Sequence, residues 1–319
     1  MMKQKEIRPV SKKEAQEFAK TVLENTYNTK VNSIKYVGGG SFGFVYKAAI
    51  DKEPFTVIMK ACRTKGICER EASELTLLGA DSLIKIPKVY FTFLATDKIP
   101  IDFIGMEFVE GTNCFTDFAK LLNSKKAKEK FADEITTIIH HWHEQTNDKF
   151  GLIGNAVYDE WLDFYQPFAA DILDCARELT SSGKLEKKVL DAMERAWSAF
   201  DYIFSDKVKT ASLIHGDMNV MNIMSDKHLH PTAVIDPLES KWADKEYELF
   251  QVRNLTGDKF GLYETYKRKY PVSEKCDIKT ASYALYHEVY AYIISGTKVN
   301  FILMPLVKRM NKELDKCNL

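Results

Sequence analysis

Residues Ser212 to Pro237, SLIHGDMNVMNIMSDKHLHPTAVIDP, confine the chain to a narrow set of local structures. Leu213-Ile214 and Ile223-Met224 are short apolar runs. Ala233-Val234-Ile235 is rich enough in β-branched residues to suit a buried strand, which Pro237 then ends. The expectation is strand, loop, hairpin, strand. His215-Gly216-Asp217 falls at the first break, Asn222 follows five positions after Asp217, and Asp236 stands at the end of the last run. Any one of these Asx residues could simply cap a turn. The ordered set is the stronger constraint.

Two carboxylates and an amide drawn from neighbouring turns suit phosphoryl transfer. Mg²⁺ takes oxygen ligands in near-octahedral geometry, usually one or two from protein and the rest from phosphate and water. Asn222 and Asp236 can supply those protein oxygens, which leaves Asp217 to accept the proton of an attacking hydroxyl. The string is H-G-D-x-x-x-x-N, with D-P where D-F-G is the commoner form.

Upstream, Ser11 to Asn25 opens with the S-x-x-E capping box and carries apolar residues at helical spacing, an amphipathic helix for the first lobe. Val31 to Ile50 alternates around Gly38-Gly39-Gly40-Ser41-Phe42-Gly43 and reads as two strands joined by a glycine-rich turn. A strand rather than a helix follows the pattern Gly38-x-Gly40-x-x-Gly43-x-Val45. That excludes a dinucleotide fingerprint and fits a hairpin folded over ATP phosphates, although an ordinary flexible turn has the same composition. The run Phe55 to Lys60 ends on a lysine that is costly to bury unpaired. Cys68 to Ala80 reads as a helix with Glu71 on the face of Leu75 and Leu78, so Glu71 is the preferred partner of Lys60, with Glu69 and Glu74 as competitors. Two more strands, Pro87–Leu94 and Phe103–Val109, complete about five. Backbone groups near Glu107 and Val109 would face an adenine edge just before the break at Glu110-Gly111-Thr112.

From Asn113 the pattern turns helical: Phe115–Leu122, Ala127–His143, Leu185–Phe204, Leu262–Tyr270, Asp277–Ser295 and Phe301–Leu314, with Phe150–Asn155 as a loop. His140, His141 and His143 lack the spacing of a metal site and suit surface or packing roles. Asp244, Glu246 and Glu248 could orient the catalytic loop, meet a cationic substrate, or simply start a solvated helix. At 319 residues the chain exceeds what one core usually serves, so two lobes with a cleft are expected. Equal numbers of acidic and basic residues give no footprint for a nucleic acid polymer. No run reaches the roughly 18 apolar residues of a membrane span. The six scattered cysteines and the unremarkable first residues suit reduced thiols and a cytoplasmic setting.

The ordered set Gly38 to Gly43, Lys60, Glu71, Met106 to Val109, HGDMNVMN and IDP resembles the protein-kinase-like small-molecule kinases, within them the fructosamine kinase and aminoglycoside phosphotransferase group. The resemblance implies an α+β, two-lobed protein-kinase-like fold. An N-terminal antiparallel sheet with one packed helix (residues 1–110) would bind ATP, and a mostly helical lobe (residues 111–319) would carry catalysis and the acceptor. It implies Asp217 as base, Asn222 and Asp236 as Mg²⁺ ligands, Lys60 on phosphate with Glu71 as its partner, and Gly38, Gly40, Ser41, Gly43, Glu107 and Val109 around the nucleotide. The implied activity is ATP-dependent phosphorylation of a hydroxyl on a small amine-bearing metabolite. The alternative is a catalytically silent nucleotide-binding or regulatory protein of the same fold. Fructosamine kinases usually read HGDLWSGN, and here Asn219 replaces the Trp and Met221 the Gly, beside the acceptor. The lack of an A-P-E segment argues against a protein acceptor.

Overall fold

The first 110 residues build a sheet between two helices. The computed structural model describes residues 2–319. Helix α1 (Lys12–Tyr27) begins at Ser11, whose Oγ accepts from the Glu14 amide at 3.2 Å while the Ser11 amide donates to Glu14 at 2.9 Å. That is the reciprocal capping box its sequence calls for. Strands β1 (Val31–Gly40), β2 (Gly43–Ile50) and β3 (Thr56–Cys62) come next, then α2 (Ile67–Ala80), β4 (Val89–Phe93) and β5 (Asp102–Glu107). They pair antiparallel in the order β1-β2-β3-β5-β4. Side chains alternate across a strand, so Val57, Met59 and Ala61 of β3 pack with Ala15, Ala19, Val22 and Leu23 of α1. Cys62 turns the other way and packs with Ile67, Cys68 and Leu75 of α2. Lys60 shares the parity of Cys62 and therefore faces α2.

Beyond β5 come β6 (Thr112–Asn113), α3 (Lys125–His143), β7 (Thr146–Asn147), β8 (Phe150–Leu152), β9 (Asn155–Tyr158), α4 (Trp161–Ser181), α5 (Lys187–Ser198) and α6 (Phe200–Ile203). Then follow β10 (Ala211–Ile214), β11 (Ile223–Ser225), β12 (Pro231–Val234), β13 (Lys241–Ala243), α7 (Glu246–Leu249), α8 (Gly257–Phe260), α9 (Leu262–Lys269), α10 (Cys276–Ser295) and α11 (Asn300–Lys316). Helices α4, α5, α10 and α11 share the largest core, centred on Trp161, Tyr165, Tyr283 and Leu285. Two further small sheets, β7-β10-β13-β8-β9 and β12-β11-β6, carry β10 and β11–β12, the strands that flank residues 215–222. The N-terminal segment ties the lobes together. Met2 packs on the helical core, the Lys5 amide donates to Ile294 at 3.0 Å, the Arg8 amide donates to Arg63 at 2.8 Å, and Val10 is buried against α1.

Three sequence expectations are corrected. Phe115–Leu122 is not one helix: Asn113 Oδ1 accepts from the Phe115 and Thr116 amides, and only Phe118–Leu122 winds into a 3₁₀ turn. Phe150–Asn155 is a hairpin rather than a loop, with Gly151 at φ 135° and Gly154 at φ 78° providing the left-handed turns that a side chain would resist. Leu185–Phe204 is interrupted at Ala199, dividing α5 from α6. The three histidines pack: His143 Nδ1 lies 2.7 Å from the Tyr266 hydroxyl, His140 stacks on Tyr270, and His141 meets Asp81. All six cysteines are free, and among the described residues no helix is long and apolar enough to cross a membrane.

Candidate active site

The strand β10 delivers the chain to His215, and the turn that follows is held from beneath by one carboxylate. Glu248, only 1% exposed, accepts from the amides of His215 at 2.5 Å, Gly216 at 3.3 Å and Met218 at 3.4 Å. Burial pushes its carboxyl up to about 7, against the pull of those three amides. Gly216 sits at φ 86°, and a Cβ there would run into the Leu238 carbonyl, so only glycine fits. The Ser240 hydroxyl donates to the His215 carbonyl at 2.7 Å and the Gln251 amide to the Gly216 carbonyl at 3.2 Å. The loop thus has fixed partners on both its donors and its acceptors.

Asp217 projects from this turn with both oxygens engaged. Asn219 Nδ2 donates to Oδ1 at 2.6 Å and Asn222 Nδ2 to Oδ2 at 2.9 Å. Burial, then the charge of Asp236, pushes the Asp217 carboxyl up to about 8, while the two amides pull it down. Asn222 also donates to the Asp217 carbonyl at 2.8 Å, and its own carbonyl accepts from the Ile235 amide at 3.0 Å, which fixes it beside the end of β12. Asp236 lies just past that strand at φ 59°. Its Oδ1 is 2.5 Å from Lys60 Nζ.

Lys60 is shared. Its ammonium lies 2.7 Å from Glu71 as well, so β3, α2 and the segment after β12 converge on one cation. Burial works against the Lys60 charge, but Asp236 and then Glu71 hold its pKa above the usual lysine value. Burial lifts Glu71 to about 7 in spite of Lys60, and Asp236, whose side chain is about half exposed, is held below its usual range by the Lys60 ammonium against partial desolvation. Of the competing acids, Glu69 is exposed, whereas Glu74 is buried beside Arg70 at 3.5 Å.

The glycine hairpin is coupled to this lysine by register. Gly40 pairs with Gly43, Gly43 with Cys62 and Val45 with Lys60, so the turn carrying Ser41 caps the strand next to Lys60. Gly38 and Gly40 have open space where a side chain would be, while Gly43 would meet the Ala61 carbonyl. On the far side of β3, Val57 pairs with Glu107. The Glu107 amide donates to the Lys88 carbonyl at 2.9 Å and its carboxylate meets Lys85 at 2.6 Å. Both groups are therefore already used inside the protein. Val109 is buried, and its backbone amide and carbonyl make no hydrogen bond among the described residues.

The residues present fit a hard divalent cation. Asn222 Oδ1 and Asp236 Oδ2 take no hydrogen bond among the described residues, and both are oxygen donors of the kind Mg²⁺ prefers. No cluster of three or more His, Cys, Asp or Glu side chains among those residues is arranged to hold a metal.

Asp244, Glu246 and Glu248 are all buried rather than solvated. Glu248 orients the loop as described, while Asp244 and Glu246 close on Lys279 at 2.7 and 2.8 Å in the helical core. Glu248→Gln would set an amide NH₂ against one of the loop's own N–H donors. A loss of about 1–3 kcal/mol is expected, read as a lower denaturant midpoint together with reduced turnover.

An antiparallel sheet with an inserted helix, a Lys–Glu pair between them, and two acids and an amide on the loops of a helical lobe define a protein-kinase-like fold of the small-molecule class. The fructosamine kinase sequence profile matches residues 13–311, and the chain belongs to the fructosamine kinase family. It is a small-molecule kinase. No curated protein matches it. Its fold is similar to that of a candidate fructosamine-3-kinase from Haemophilus somnus 129PT, with TM-score 0.66, 18% identity, and coverage of 92% of this chain and 96% of that one. It is also similar to a mutant aminoglycoside 2′-phosphotransferase-IIIa in its GDP complex (TM-score 0.67, 12% identity, 94% and 98% covered). The aminoglycoside phosphotransferase APH(2″)-IIa bound to gentamicin is a third (TM-score 0.63, 16% identity, 92% and 94% covered).

Proposed function

We propose that the protein transfers the γ-phosphoryl group of ATP to a hydroxyl of a small amine-bearing metabolite: fructosamine-like, aminoglycoside-like or an amino alcohol. The observation that carries the reading is the convergence of Lys60, Glu71 and Asp236 on one point, with Asp217 held apart from the lysine by two amides. The nucleotide lobe is residues 1–110 and the acceptor lobe residues 111–319. One structural neighbour is known in a GDP complex and another in a gentamicin complex, which supports a nucleotide donor and an amine-bearing acceptor here.

In this mechanism Lys60 holds nucleotide phosphate oxygens and Glu71 holds Lys60. The backbone of Gly38 to Gly43 closes over the phosphates, where missing side chains let N–H groups approach. Val109 offers its free amide and carbonyl to the base. Asn222 and Asp236 would hold Mg²⁺, which when bound offsets the charge of the phosphate oxygens. Asp217 orients the acceptor hydroxyl and takes its proton as the oxygen attacks the γ-phosphorus and the bond to the β-phosphate oxygen breaks, releasing ADP. A carboxyl with a raised proton affinity is suited to that step.

Thermal-shift titration tests the nucleotide half. ATP with Mg²⁺ at about 100 times its Kd should stabilise the protein by about 2.7 kcal/mol, and ATP alone by less. Turnover on a panel of amines, sugars and glycated amines tests the acceptor half. Binding of ATP and Mg²⁺ without transfer to any member would favour a silent regulatory protein, and absence of both would sink the reading.

A further inference from the structure

We infer that Asn219 is a positioning residue for Asp217, fixing the carboxylate in the orientation in which it accepts the acceptor's proton; the inference rests on the kinase reading above. Asn219 is 9% exposed, and its side chain is committed at both ends. Its Oδ1 accepts from the Met221 amide at 2.8 Å, a position only an acceptor can fill, so its Nδ2 must face Asp217, 2.6 Å from Oδ1. The backbone is tied in the same way: the Asn219 amide donates to the Asp217 carbonyl at 2.8 Å and the Asn222 amide to the Asn219 carbonyl at 3.0 Å. Asn219 therefore sits inside the turn, not on its rim.

The two amides on Asp217 are not equivalent. Asn222 divides its side chain, with Nδ2 on Asp217 and Oδ1 left for the cation, so its hold on the carboxylate is tied to whatever occupies the cation position. Asn219 has no such second duty, since its oxygen is already spent on Met221. It supplies the one donor to Asp217 that stays fixed whether or not nucleotide and cation are bound. This bond fixes Oδ1 of a carboxyl group that would otherwise be held at Oδ2 alone. A base misplaced by about 1 Å can lose on the order of 10²-fold in rate.

Two variants of the full-length protein test this. Asn219→Leu removes the amide at nearly constant volume. Asn219→Asp keeps an acceptor for the Met221 amide, so the turn retains its tie, but replaces the donor with a second carboxylate against Asp217. With the acceptor identified for the unaltered protein, both should lower kcat by about 10- to 100-fold, while the affinity for ATP with Mg²⁺, read by thermal-shift titration, is unchanged. If kcat stays within about twofold in either variant, or nucleotide affinity falls in step with kcat, Asn219 merely supports the turn and the inference is overturned. If the unaltered protein transfers phosphate to nothing, the kinase reading falls and this inference with it. Turnover by the unaltered protein with indifferent variants overturns this inference alone.

Discussion

Asp217→Ala is expected to lower kcat by about 10²- to 10⁴-fold and to leave the affinity for ATP with Mg²⁺ in place. The separation follows from the contacts. Asp217 touches Asn219 and Asn222, whereas the candidate phosphate ligand Lys60 is held by Glu71 and Asp236, neither of which hydrogen-bonds Asp217. Asp217→Ala adds no negative charge beside Asp236, so nothing in the substitution works against a polyanionic nucleotide. The loop should keep its path, because Glu248, Ser240 and Gln251 hold its backbone and not the Asp217 side chain. Steady-state kinetics beside a nucleotide titration decide the matter. A kcat reduced less than about tenfold would mean that another group takes the proton.

The sequence made legible those features whose partners lie at fixed spacing. Asp217 and Asn222 belong to one turn, and their five-residue separation is a local property. Glu71 could be chosen over Glu69 and Glu74 because helix periodicity puts it on the packed face, and the structure gives that face to Lys60. Glu74 is buried too, so periodicity narrowed the choice and the direction of β3 completed it. The acids of WADKEYEL were harder to read, because alternating charge after a turn has the pattern of a solvated helix start. Asp244 and Glu246 are paired with Lys279, supplied by the first turn of α10, and Glu248 with the amides of the His215 turn, and no local pattern announces pairings across those distances. Asn219 was visible only as a residue out of place in a familiar string. Its bond to Asp217 depends on the turn's curvature, which Gly216 at positive φ sets. The β8–β9 hairpin was obscured for a related reason, since FGLIGN reads as a glycine-punctuated loop until Gly151 and Gly154 take left-handed conformations.

The largest effect on stability is expected at Lys279, which is 2% exposed and meets Asp244 and Glu246 in the core of the helical lobe. The cluster is closed by further hydrogen bonds. Tyr283 donates to Asp244 at 2.9 Å and receives Trp161 Nε1 at 2.8 Å, and Ser273 donates its amide and hydroxyl to Glu246 at 2.5 and 2.8 Å. Lys279→Met keeps the length of the side chain and removes the cation paired with the two carboxylates, leaving them buried and repelling each other. Breaking a buried pair in this way costs about 3–5 kcal/mol, measured as a fall in unfolding free energy from denaturant titration. The triple variant Lys279→Met, Asp244→Asn, Glu246→Gln should recover part of that loss, because neutral amides carry no uncompensated charge and each keeps one oxygen acceptor for the donors around it. A Lys279→Met protein within about 1 kcal/mol of the unaltered one would show that the carboxylates find water or protons instead. The consequence reaches the candidate site as well. Glu246 and Glu248 lie on the same short helix α7, and Glu248 is the carboxylate beneath His215, Gly216 and Met218. Loosening the lysine cluster should therefore lower kcat along with stability, and the triple variant should restore the two together.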